Sequence, residues 1–272
     1  MPPDTDVGAH RFEALGTTCS VFAERPRGRL TEAELWVRRM GARFTRFSEQ
    51  SELARLNRGA GTWCEISPEL ESLLRESLRA FDMSGGLVNV AVLPSMVAIG
   101  YSRPLAEGEP VATLALCRPA PSLPSVLSVR DGEARLENGS GLDLGGIAKG
   151  WMADRLTEII GPNSLVNLGG DLMARGGGPA GAGWPVSMAG LTLLLRDQGA
   201  ATSSVRRRRW GEAHHLVDPR TGLPSRSGLE EVSVVAASGV EAEVVAKTAL
   251  IGGPEIAPAY CARHALAWWL SP

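Results

Sequence analysis

Lysine is almost missing from this chain. Of its 28 lysines and arginines in 272 residues, only Lys149 and Lys247 are lysines. A chain that otherwise uses arginine keeps a lysine either by chance or where a compact ammonium fits and a planar guanidinium does not. Cysteine is scarce too. Cys19, Cys64, Cys117 and Cys261 follow no zinc-ribbon or redox-pair spacing and read as small apolar residues. No apolar run reaches the roughly 18–20 residues needed to cross a bilayer, so no membrane insertion is expected. Positive charge is not in excess: a formal net charge of −2 gives no basic field for nucleic acid. The opening residues, MPPDTDVGAHRFE, carry neither a basic n-region nor an apolar h-region, and the reading is a cytoplasmic protein. What is present, 44% hydrophobic and 21% charged residues, is an ordinary globular balance with length for a buried core.

Local patterns predict a mixture of strands and helices. Arg11–Ala23 alternates apolar and polar residues around Gly16, a first strand or hairpin. Thr31 and Glu34 have capping-box spacing ahead of a helix carrying Leu35, Val37, Met40 and Phe44 inward. Ser67-Pro68 opens a second helix that Gly85-Gly86 ends. Pro104–Pro124 reads as loop, and Asp131-Gly132 as the turn of a hairpin. A helix is expected from about Gly146 to Ile160 and another over Val240–Ile251. Strands are expected at Leu165–Leu168, Trp184–Ala189, Leu191–Leu195, Ala200–Val205, His214–Val217, Glu231–Ala236 and Ala265–Leu270. There is no strict βαβ rhythm, so the fold class is α+β. The expected organisation is a disordered or extended stretch over residues 1–10, then a single domain over residues 11–271.

Four segments carry candidate chemistry. In GLDLGGIAKGWMADR a strand ends in Gly145-Gly146 and runs straight into a helix. The amides of Gly145, Gly146 and Ile147, with the Lys149 ammonium in the first turn, suit a phosphate, or the turn is only structural. In HHLVDPRTGLP a tight turn at Asp218-Pro219 has donors at Arg220 and Thr221. Adjacent His214 and His215 would point to opposite faces of a strand, one free to act as a base or phosphate ligand. In LVNLGGDLMARG a buried strand delivers Asp171, as a ligand-contacting carboxylate or a turn cap. In EAEVVAKTALIGG, Glu243 and Lys247 lie four apart on one helical face, as a surface ion pair or at a cleft wall. The run Arg206–Arg209 reads as a solvated hairpin edge, with alternation leaving one pair able to steer an acidic ligand.

Together these segments resemble the ApbE-like family of FAD:protein FMN transferases. The likeness runs in order through ALGTTCSV, SELARLN, SGGLVNVAVLP, LDLGGIAKG, LVNLGGD, ATSS, HHLVDPRTG and AEVVAKTALIGG, nearly the whole chain. It implies FAD in a cleft between two lobes of an α+β domain. FMN would pass to a Ser or Thr hydroxyl of a target protein bearing a flavinylation motif, releasing AMP. It also implies Lys149 at the flavin phosphates, His215 as a catalytic group, and Thr17 and Asn57 lining the cofactor pocket. A Mg²⁺ on the pyrophosphate would be held by the Ala148 carbonyl and by an Asp and a Thr four residues apart. Here those two positions hold Glu243 and Lys247. A Lys ammonium has no lone pair for Mg²⁺. The sequence therefore leaves two cations open at that point, a metal on Glu243 and Ala148 or Lys247 itself as a catalytic charge. It also leaves open a relative that binds FAD without splitting it.

Overall fold

The computed structural model describes residues 7–26, 28–104, 107, 111–211 and 213–272. In chain order the first elements are β1 (Val7–Ala14), β2 (Thr17–Glu24), α1 (Arg29–Phe44), α2 (Glu52–Arg58), β3 (Trp63–Glu65), α3 (Pro68–Met83) and α4 (Leu93–Ala98). Then come α5 (Leu123–Val126), β4 (Leu127–Arg130), β5 (Glu133–Leu136), α6 (Ala148–Ile160), β6 (Ser164–Leu168), β7 (Asp171–Arg175), β8 (Trp184–Met188) and β9 (Leu191–Leu195). The chain closes with β10 (Gln198–Ser204), β11 (Arg209–Trp210), β12 (Ala213–His214), β13 (Glu231–Ala236), α7 (Gly239–Gly252), α8 (Ala257–His264) and β14 (Ala267–Ser271). Among the described residues no helix is long and apolar enough to cross a membrane.

The frame is a seven-stranded sheet in the order β1-β2-β6-β7-β10-β13-β14, antiparallel at every step. Period-two alternation splits its side chains between the two faces of the sheet. Val166, Leu168 and Met173 join α1, α3 and α6 in one cluster, while Ala201, Val232 and Val234 meet α7 and α8 in a second. Leu165, Leu172, Ala200 and Val235 point the other way, against the β8–β9 hairpin. Helices α6 and α7 thus lie side by side on one face, and they approach at glycines. A Cβ on Gly150 would overlap the Gly239 carbonyl, so their backbones nearly touch.

Local signals held where the partner was local. Ser67 accepts the Leu70 amide and Pro68 follows it, and Gly132 turns the β4–β5 hairpin at φ 74°. The Thr31 capping box does not form. Helix α1 begins three residues earlier, after Gly28 at φ 84°, and Glu34 is drawn to His10 and Arg38 instead. Leu35, expected inward, is exposed. Strand β1 begins at Val7, so residues 7–10 already belong to the sheet; residues 1–6 lie outside the described residues. The expected strand His214–Val217 shrinks to Ala213–His214 plus a bridge from Val217 to Pro224. The Pro104–Pro124 stretch, described only in part, holds a 3-10 turn at Leu114–Leu116 and the start of α5.

Candidate functional site

The glycine segment ahead of α6 is held from several sides. Asn57 on α2 clamps it: its Nδ2 donates to the Leu142 carbonyl at 3.0 Å and its Oδ1 accepts the Leu142 amide at 2.8 Å. Both ends of that amide are committed to positioning the loop, which differs from the pocket-lining role expected for Asn57. Asp143 accepts the Gly145 amide and binds nearly buried Arg46, whose guanidinium also reaches the Tyr101 carbonyl and lies over the Phe47 and Tyr101 rings. The amides expected to be free for phosphate are therefore mostly taken. Gly145 donates to Asp143 and Ile147 to the Leu144 carbonyl, and the Ile147 side chain is fully buried. Of those three, the Gly146 amide is the one that no hydrogen bond among the described residues takes.

Lys149, in the first turn of α6, pairs with Asp171 at the head of β7. Asp171 thus anchors a cation, a role different from the two expected of it. The Gly169-Gly170 turn beside it is covered by Thr17, which a side chain on Gly169 would overlap, and by Arg207, which donates to the Gly169 carbonyl. Burial pulls the Lys149 ammonium down to about 7, with Glu243 opposing that and Lys247 and Arg208 adding to it.

The two histidines separate cleanly. His214 is buried, its Nε2 donating to the Ser225 carbonyl at 2.9 Å while Nδ1 accepts the Leu216 amide at 3.2 Å. Those partners fix a neutral tautomer with a structural role. His215 has a buried Nδ1 with no hydrogen-bond partner. Burial holds its pKa well below the usual value, and Arg208, Lys247 and Lys149 push it the same way. A neutral imidazole with a free nitrogen, ringed by cations, suits a base beside a bound polyanion.

Arg208 lies beside His215, although the sequence reading singled out no one arginine of its run. Its side chain is only partly exposed, it sits at φ 48°, and its carbonyl accepts the His215 amide. The run does not alternate as strand: Arg206 pairs with Glu230 outside, while neighbouring Arg207 and Arg208 approach the site from the turn before β11. Arg220 and Thr221 depart from expectation in the other direction. Exposed Arg220 forks onto Asp218, and Thr221 bonds within the same turn, so both are engaged locally. That turn is docked tightly, since a Cβ on Gly222 would collide with the Arg118 carbonyl.

Glu243 and Lys247 of α7 complete the cluster. Glu243 is fully buried; its Oε2 accepts the Gly150 amide at 2.7 Å and its Oε1 accepts the Lys247 ammonium at 2.8 Å. The surface-pair alternative is thereby excluded. These residues do not fit a metal. Both Glu243 oxygens are engaged, an ammonium stands where a second ligand would be needed, and Ala148 offers only a backbone carbonyl. Nor do three or more acidic, His or Cys side chains converge on a metal-sized site among the described residues.

Asp154 holds this geometry in place. From α6 it accepts the Gly239 and Val240 amides, at 2.6 and 3.0 Å, and so sets the start of α7. Burial raises its carboxyl from 3.8 to about 6, against those two hydrogen bonds. Between these values the folded chain keeps a proton that the unfolded chain gives up. The group's contribution is full below 3.8 and is lost as pH rises through about 6. Wild type should therefore gain about 1 kcal/mol over Asp154→Asn on moving from pH 7 to pH 5. Urea unfolding of both proteins at the two pH values checks it, and a constant difference would contradict the buried carboxyl.

The chain matches the ApbE family over residues 15–269. It is 27% identical over 285 residues to the FAD:protein FMN transferase of Treponema pallidum, covering 89% of this chain and 77% of that one. It is 25% identical over 267 residues to the enzyme of the same name from Haemophilus influenzae, covering 88% and 77%. Among solved structures, the ApbE protein of Thermotoga maritima superposes with a TM-score of 0.86 at 20% identity, covering 97% of this chain and 94% of that one. The apo flavinyl transferase ApbE of Pseudomonas stutzeri gives 0.81 at 21% identity, covering 98% and 92%. With the family's match spanning almost every element that builds the cluster, the chain belongs to the ApbE family.

Proposed function

We propose that the chain is an FAD:protein FMN transferase acting as one domain over residues 11–271. It moves FMN from FAD to a Ser or Thr hydroxyl of a target protein carrying a flavinylation motif. The observation that carries this reading is His215, a neutral, half-buried imidazole whose buried Nδ1 has no partner, among Lys149, Lys247 and Arg208. In the step, His215 accepts the proton of the target hydroxyl as its oxygen attacks the phosphorus on the FMN side. The bond from that phosphorus to the bridging oxygen breaks, and the bridging oxygen leaves with AMP. Negative charge spreads over the phosphoryl oxygens, and the three cations with the Gly146 amide stabilise it. The names of the relatives support the same reaction.

The test is incubation of the purified protein with FAD and a peptide carrying the target motif, followed by mass spectrometry. Covalent FMN on the peptide with an equal amount of AMP is expected. Intact FAD would support a binding protein instead, and free FMN with AMP would support hydrolysis.

A further inference from the structure

The most unusual feature of the site is an ammonium ion set behind a glycine loop. The Lys247 side chain is 12% exposed, and its Cε lies 3.5 Å from where a Cβ on Gly146 would stand. The stem thus passes Gly146 at ordinary packing distance, and the Gly146 amide takes no hydrogen bond among the described residues. An ammonium has three hydrogens to donate, and among the described residues Glu243 is the acceptor drawn for it. Glu243 is itself pinned by Gly150, so the ammonium cannot swing away without uncovering a buried carboxylate.

We propose that Lys247, held by Glu243, takes the place of a divalent cation at the bound pyrophosphate, so that this site works without a metal. The inference rests on the flavin reading above. Three lines carry it. First, the donor set is wrong for a metal and right for an anion, because each carboxylate of the cluster is already paired, Asp171 with Lys149 and Glu243 with Lys247. Second, the charges suit the ligand. Arg208 adds positive charge to the two lysine–carboxylate pairs, which favours a polyanion, whereas a divalent ion seated here would be repelled by an ammonium a few ångströms away. Third, the side-chain choice is specific. In a chain with only two lysines, one is kept beside Gly146, where a point charge on a thin stem needs less width than a planar guanidinium.

FAD titrations followed by flavin fluorescence, in EDTA and again in excess Mg²⁺, test this on wild type, on Lys247→Met and on Glu243→Gln/Lys247→Met. The double variant removes both charges, so it leaves no buried carboxylate unpaired if the single variant fails to fold. Wild type should bind FAD equally in EDTA and Mg²⁺. The folded variants should lose about ten- to a hundredfold in FAD affinity, the scale of a charge-assisted hydrogen bond, while riboflavin binding is unchanged. FAD binding that needs Mg²⁺, or an FAD complex holding one Mg²⁺ by elemental analysis, would overturn the inference and leave the flavin reading standing. A folded double variant that binds FAD like wild type would also overturn it. Failure of wild type to bind FAD under either condition would instead sink the flavin reading, and the inference with it.

Discussion

His215→Ala should lower the rate of FMN transfer by about 10²–10⁴-fold while leaving FAD affinity within severalfold. The imidazole makes no hydrogen bond through Nδ1 in the resting protein, so its loss leaves no buried partner unsatisfied. Its value lies in accepting a proton. Burial and three neighbouring cations keep it neutral well below the usual histidine range, so the base is ready at any physiological pH. The acid limb of kcat/KM for wild type should accordingly fall below that of an ordinary histidine. His214→Ala gives the contrasting result. It removes two buried hydrogen bonds, to Ser225 and Leu216, and should cost about 1–3 kcal/mol of stability with transfer retained in the folded fraction. Single-turnover transfer read by mass spectrometry, beside thermal melts, separates the two. An inactive, stable His214→Ala with an active His215→Ala would reverse the assignment.

What the sequence could and could not say about this site follows from distance along the chain. Ser67-Pro68, Asp131-Gly132 and the start of α6 are legible because a cap or turn involves residues two to four apart. The α+β mixture follows from counting such elements. The Thr31 box fails because Glu34 finds His10, on a strand 24 residues away. The same holds inside the cluster. Asn57 looked like a ligand group, but it bonds Leu142 across 85 residues, and the phosphate amides at Gly145 and Ile147 turn out to be used by Asp143 and Leu144. Arg46 carries no local signal, because its partner Asp143 lies 97 residues on. Arg208 was hidden for another reason: strand alternation does not apply in a turn where its φ is positive. Lys149, His215, Glu243 and Lys247 were legible as chemistry, since a lysine after a glycine pair, a histidine pair and an i,i+4 pair are local patterns. Their convergence was not, because it depends on α6 and α7 meeting at Gly150 and Gly239.

That convergence makes Glu243→Ala the most damaging single change expected for the fold. The substitution leaves the Lys247 ammonium in a nearly closed site without its counter-charge and strips the buried Gly150 amide of its acceptor. Breaking a buried pair from one side costs about 3–5 kcal/mol, because the remaining charge has lost its solvent and gained nothing. Removing both charges is different. Glu243→Gln keeps a carbonyl oxygen for the Gly150 amide, and Lys247→Met keeps a flexible apolar stem under Gly146. The double variant should therefore lie within about 1–2 kcal/mol of wild type, as buried ion pairs often do when replaced by neutral groups of similar volume. The cost of Glu243→Ala should not be relieved by adding Mg²⁺, since the group that has lost its partner is a cation. Urea unfolding of the three proteins with and without Mg²⁺ measures all of this. A loss below about 1 kcal/mol for Glu243→Ala would mean that the pair is hydrated in solution, like the exposed i,i+4 pairs of other helices. Mg²⁺ that stabilised wild type but not Glu243→Ala would mean that Glu243 meets a metal after all.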